Sequence, residues 1–246
     1  MDNKKIYSYP LIYFLLSVIG FSILNYFGIQ YDDPRIHFYG IPMMLVIAGF
    51  VIYANGKNRL IKKEDFKRKS SFALLNWIPI LTILMIITVF GEMFMRNGEV
   101  TKVLWAMILT FLIGFSEEGM FRHFIIQQGE TIFSSMALLI YSTVSFGLLH
   151  MANMASGLDF IGAFTQSIYT LPFGLLAAFL YMETKNITAL IFWHMSVDFS
   201  LFLLELGEFK SATYCGKAID IIMILATLIL LYRKGKSRLD CRKEKN

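Results

Sequence analysis

The sequence predicts an all-α fold: a polytopic membrane protein built as a bundle of about eight transmembrane helices. Three observations carry that expectation. Hydrophobic residues make up 56% of the 246-residue chain and charged residues only 17%, against about 25% charged in an ordinary soluble domain. The apolar residues gather into eight runs, each near the ~20 residues a helix needs to cross hydrocarbon. The basic residues concentrate in alternate connections between those runs, the pattern that fixes membrane topology.

The runs lie at 8–28, 39–55, 72–90, 103–121 (with 127 as an alternative end), 133–151, 160–182, 186–205 and 216–232. Lipid offers no water to the backbone, so each run is expected to satisfy its own peptide groups as a helix. The first run is long and is followed by others, so it is read as a retained anchor rather than a cleaved signal. No polar stretch is long enough for a second domain, and no internal repeat of the kind found in transporters is visible. A single integral-membrane domain over 1–246 is therefore expected.

Charge sets the expected orientation. Lys4 and Lys5 precede the first run. Lys57, Arg59, Lys62, Lys63, Lys67, Arg68 and Lys69 follow the second, and Arg233, Lys234, Lys236, Arg238, Arg242, Lys243 and Lys245 form the tail. The connections at 30–37 and 92–102 are poor in basic residues. An even number of spans, with both termini cytoplasmic at the cell membrane, puts every strongly basic segment on one side. The pI of about 9.1 then reflects topology, so membrane lipids are the expected partners and nucleic acid is not. Leu60, Ile61 and Phe66 interleave with charges, so Gly56–Lys69 is expected to be a short interfacial helix. Cys215 and Cys241 are expected on opposite sides of the membrane, unable to pair with each other.

Functional chemistry is expected where polar groups interrupt the apolar runs. The fourth run ends in Ser116-Glu117-Glu118-Gly119-Met120-Phe121-Arg122. A charge at the bilayer centre costs about 2.5–3.5 kcal/mol on insertion scales, so three together need partners, water or a task. Glu118 and Arg122 are four apart and share a helix face, where they can pair. Glu117 lies about 100° away round the helix and is left to face something else. The fifth run ends in Phe146-Gly-Leu-Leu-His150, which puts an aromatic ring and an imidazole on one face. The seventh holds His194-Met-Ser-Val-Asp198, a carboxylate one turn from an imidazole that it can orient.

Brought together, these groups are a kit for activating water. A carboxylate can act as general base while an imidazole holds the water or a metal. Glu117, His150 and His194 also have the composition of a His₂Glu zinc set with one open position. A divalent metal such as zinc therefore stays open as a cofactor, although the spacing is not the His-Glu-x-x-His of soluble zinc proteases.

At these residues the chain resembles the CAAX protease and bacteriocin-processing (CPBP) family of intramembrane proteases, also called the abortive-infection family. Its pattern is EExxxR, then FxxxH, then HxxxN or HxxxD, each on a transmembrane helix. Glu117-Glu118-Gly-Met-Phe-Arg122, Phe146-Gly-Leu-Leu-His150 and His194-Met-Ser-Val-Asp198 meet it in order, within a family-like core at 103–205. The resemblance implies a glutamate-dependent endopeptidase acting on a membrane-bound peptide or lipoprotein. It implies that Glu117 and His150 activate water, that His194 and Asp198 stabilise the oxyanion or position the water, and that Glu118 pairs with Arg122. Relatives also act in bacteriocin self-immunity and lipoprotein acylation, so a non-proteolytic role in either is the alternative. Depth raises one difficulty. Counted at ~1.5 Å per residue, His150 falls near the far face while Glu117 and His194 do not. The expected remedy is an interfacial turn at Gln127-Gln-Gly-Glu130, with 127–135 outside the hydrocarbon.

Overall fold

The computed structural model describes residues 4–56, 73–95, 100–206 and 209–243, and no strand occurs among them. Among these residues eight helices are long and apolar enough to cross a membrane. In chain order they are α1 (Lys5–Tyr26), α2 (Ile36–Asn55), α3 (Ile78–Met95, entered through a 3₁₀ turn at Ala73–Trp77) and α4 (Val100–Gly129). Then come α5 (Ser135–Ser156), α6 (Phe160–Thr184), α7 (Ile187–Leu206) and α8 (Lys210–Lys243). The protein is a multi-pass membrane protein. From Lys57 on, the expected interfacial helix lies outside the described residues.

Local chemistry sets the helix limits. Ser134 Oγ accepts from the Ala137 amide and starts α5. Asp159 Oδ1 accepts from the Gly162 amide at 2.7 Å and starts α6. Asn186 Oδ1 does the same for Ala189 at the head of α7. Each cap satisfies one of the amides that a helix start leaves open. Gly157, at φ 97°, turns the chain out of α5 in a conformation that suits glycine. Lys185 takes φ 55° between α6 and α7. Its ammonium pairs with Glu130 and lies 5.2 Å over the Tyr181 ring, which ties that turn to the one after α4.

Large apolar side chains such as Ile19, Val46, Ile161 and Leu225 face outward, as a lipid-facing surface requires. The bundle is joined inside by close packing of α4 against α2 and α7, of α5 against α6, and of α8 against α3 and α7. Without a hydrophobic force between helices in lipid, small residues and interhelical hydrogen bonds take over. Thr82 on α3 donates to the Phe192 carbonyl on α7 at 3.2 Å. A Cβ placed on Gly114 of α4 would sit 2.9 Å from the Ile191 carbonyl oxygen and 3.4 Å from His194 Cβ. The two backbones therefore meet one turn before the paired glutamates.

Eight crossings put both ends of the described chain on one face, together with the turns after α4 and α6. The opposite face carries 27–35 and 157–159, joined where the Tyr31 amide donates to the Ser156 carbonyl at 2.9 Å. There Arg35 bonds both carboxylate oxygens of Asp33 and the Gly28 carbonyl. Those bonds hold the Asp33 carboxyl below its usual pKa. Cys215 and Cys241 both belong to α8, near its two ends, so the one helix separates them.

Two expected boundaries shift. The fourth helix runs on to Gly129, and its turn occupies 130–134 rather than starting at Gln127. Gln127 remains helical because its amide reaches the Tyr181 hydroxyl at 3.2 Å and His123 at 3.3 Å. The fifth helix tightens to 3₁₀ geometry at His150–Ser156 instead of ending at 151.

Candidate active site

The three motifs meet inside the bundle. Glu118 begins a π-helical stretch, Glu118–Phe124, set within α4. Such wide turns shift the register of backbone bonding and recur at functional sites. Side chains of neighbouring helices bond two carbonyls of this stretch. Ser142 on α5 donates to the Phe121 carbonyl at 2.7 Å, and Asn55 on α2 donates to the Gly119 carbonyl at 3.4 Å. Every residue of the stretch is buried.

Glu118 and Arg122 pair as the spacing predicts, with Arg122 Nε 3.4 Å from Glu118 Oε2 and both side chains fully buried. The guanidinium also lies 4.3 Å over the Phe146 ring, a favourable cation–π arrangement in a dry setting. Phe146 thus supports the arginine, and its ring also meets His150 and His194 edge-on at 5.2 and 5.9 Å.

His194 stands among three carboxylates. Its Nδ1 lies 2.9 Å from Glu118 Oε1, and its Nε2 lies 3.5 Å from Asp198 Oδ2 and 3.7 Å from Glu117 Oε2. The group that orients this imidazole most closely is therefore Glu118 rather than Asp198. His150 has its Nδ1 3.1 Å from the Phe146 carbonyl. A carbonyl only accepts, so Nδ1 carries the proton in that bond and Nε2 remains an acceptor.

Glu117, His150, His194 and Asp198 all line one cavity of about 170 Å³. Glu118 and Arg122 stand behind it. Of the two glutamates only Glu117 lines this space, and among the described residues its buried Oε2 makes no hydrogen bond. The depth difficulty does not keep His150 away from this cavity. Glu117 stands twelve residues from the end of α4 and His150 fifteen from the start of α5. At ~1.5 Å per residue those depths differ by about 4–5 Å.

A metal at Glu117, His150 and His194 gains no support from their placement. Among the described residues no group of three or more His, Cys, Asp or Glu side chains is placed to hold a metal ion.

Three contributors escaped the motif reading. Gly114 allows α4 to touch α7 beside His194. Phe173 on α6 puts its ring 4.9 Å from His194 and 4.3 Å from Trp193. Asp220 on α8 accepts from Trp193 Nε1 at 2.8 Å. A carboxylate in the apolar run 216–232 was a visible signal for Asp220. A glycine three residues before Glu117 was a fainter one for Gly114, and Phe173 had no signal in an aromatic-rich chain.

Comparison with known proteins agrees with the motifs. Residues 99–200 match the family model described as type II CAAX prenyl endopeptidase Rce1-like. No curated protein and no solved structure matches the chain. The matched segment holds all three motifs, including His150 and His194, so residues 99–200 are similar to the type II CAAX prenyl endopeptidase Rce1-like family, in agreement with the CPBP resemblance of the motifs.

Proposed function

We propose that the protein is an intramembrane endopeptidase that hydrolyses a peptide bond in a membrane-associated peptide or lipidated protein, with Glu117 as general base. The observation that carries this reading is the shared cavity lined by Glu117, His150, His194 and Asp198, within a segment that matches a prenyl endopeptidase family. Its surroundings are lipid, and its substrate is a peptide or lipoprotein held at the membrane.

The chemistry follows from the atoms facing the cavity. Glu117 takes a proton from water while the water oxygen bonds to the scissile carbonyl carbon. His150, with Nδ1–H committed to the Phe146 carbonyl, offers Nε2 as a second acceptor that aims the water. His194, when it carries both protons, has Nε2–H as the donor beside the developing oxyanion. Such a preorganised donor is typically worth about 2.7–4 kcal/mol. Collapse of the tetrahedral intermediate breaks the C–N bond, and Glu117 returns its proton to the departing amine. Glu118 and Asp198 hold His194 in place, and Arg122 offsets the charge of Glu118.

The test compares purified wild type with Glu117→Gln and His150→Ala on a quenched peptide bearing a farnesylated cysteine. Cleavage by wild type and its loss in both variants, with unchanged melting, is the expected result. Cleavage that survives both changes rejects the reading.

A further inference from the structure

The cavity extends in one direction only. From Glu117 it is lined by Ile113 and Leu109, which step back along α4 towards Val100. Ser17 and Phe21 of α1 follow the same direction, as do Leu201 and Phe202 of α7. At its far end are Tyr31, Ile36, Asn153 and Gln166. These belong to the α1–α2 connection, the first turn of α2, the last turn of α5 and the second turn of α6. All lie towards the face opposite the chain termini. Past Glu117 in the other direction, α4 contributes nothing to the cavity.

The side towards the termini is filled. Met120, Phe121, Phe124, Ile125 and Ile126 are at most 2% exposed. Beyond them His123 Nδ1 lies 2.8 Å from the Tyr181 hydroxyl, and Gln127 reaches both. Among the described residues, a packed apolar layer backed by a satisfied polar cluster stands between Glu117 and that face. The opposite end has hydrogen-bonding groups at its rim: Asn153 Nδ2 donates to Gln166 Oε1 at 2.7 Å, and Gln166 Nε2 donates to the Tyr31 hydroxyl at 2.6 Å. Amide and phenol groups of this kind can exchange partners with a peptide main chain.

We propose that water and substrate reach Glu117 from the face carrying the α1–α2 and α5–α6 connections, past the Tyr31–Gln166–Asn153 rim. By the positive-inside rule, the Lys- and Arg-rich sequence that follows α2 and that of the tail mark the side of the termini as cytoplasmic. The substrate is then a peptide or lipoprotein segment exposed at the non-cytoplasmic face. What enters rests on the peptidase reading; the direction of entry does not.

The experiment uses the full chain with Cys215→Ser and Cys241→Ser, in right-side-out and inverted membrane vesicles. Ile113→Cys, one turn from Glu117, and Gln166→Cys, at the rim, report the cavity. Lys4→Cys marks the face of the termini. A small membrane-impermeant methanethiosulfonate is expected to label positions 113 and 166 from the face opposite Lys4→Cys, with labelling lost from the Lys4 side. Labelling from the Lys4 side, or none from either side while Lys4→Cys reacts, overturns the inference. A bulky maleimide on Gln166→Cys is expected to stop cleavage of the farnesyl-cysteine peptide, and undiminished cleavage rejects the rim as the substrate path. Absence of cleavage by unlabelled wild type rejects the peptidase reading and the substrate assignment with it. It leaves the labelling result standing.

Discussion

His194 donates from Nδ1 to Glu118 Oε1 across 2.9 Å, so the carboxylate nearest the imidazole is the one already paired with Arg122. The two adjacent glutamates thus divide their work. Glu118 is walled in by Arg122 and His194, while Glu117 faces the cavity.

That division predicts unequal stability effects. Removing one partner of a buried ion pair typically costs about 3–5 kcal/mol, because the other charge is left buried alone. Glu118→Ala is expected to lower the melting temperature in detergent markedly, and Glu117→Ala to leave it nearly unchanged. Thermal unfolding of the two purified variants checks this contrast.

The crossing at Gly114 predicts a steric effect on the site. An added methyl group would meet the Ile191 carbonyl at 2.9 Å and the Met195 amide at 3.2 Å. Both are backbone atoms that cannot rotate away. Overpacking of this kind costs about 1–3 kcal/mol. Gly114→Ala is expected to separate α4 from α7, lowering both melting temperature and peptide cleavage. Gly91→Ala, with nothing within 4 Å, is the control that should change neither.

The helix count and the three motifs were legible because both depend on local sequence. Length and hydropathy mark a span, and a four-residue spacing puts Glu118 with Arg122, Phe146 with His150 and His194 with Asp198 on shared faces. What was hidden depends on relations between helices. That Glu118 rather than Asp198 orients His194 follows from how α4 crosses α7, which Gly114 controls. The turn after α4 was misjudged because Gln127 is held helical by Tyr181, 54 residues away.

Asp220 predicts a difference between two substitutions. Its Oδ1 accepts from Trp193 Nε1, which stands next to His194 in the chain. Asp220→Ala leaves the indole N–H without that acceptor, at a cost of about 1–3 kcal/mol. Asp220→Asn keeps an oxygen there and is expected to behave nearly as wild type. Melting and Trp fluorescence of both variants test the pair. Equal losses would show that the carboxylate charge, rather than the hydrogen bond, is what matters.

His150 predicts a loss of rate without a loss of fold. Its ring lines the cavity, and its Nδ1 bond to the Phe146 carbonyl stays within its own helix. A positioned acid–base group typically contributes 10²–10⁴-fold, so His150→Ala is expected to lower turnover by roughly that range with melting unchanged. Steady-state cleavage of the farnesyl-cysteine peptide, alongside a melting curve, measures both.

The central claim is that Glu117, and not Glu118, removes the proton from water. Glu117→Gln keeps the size of the side chain and takes away only its basicity. The most direct measurement is single-turnover cleavage by purified Glu117→Gln at wild-type melting temperature. Loss of cleavage by at least about 10²-fold is the expected result for a lost general base. Turnover at the wild-type rate would contradict the account.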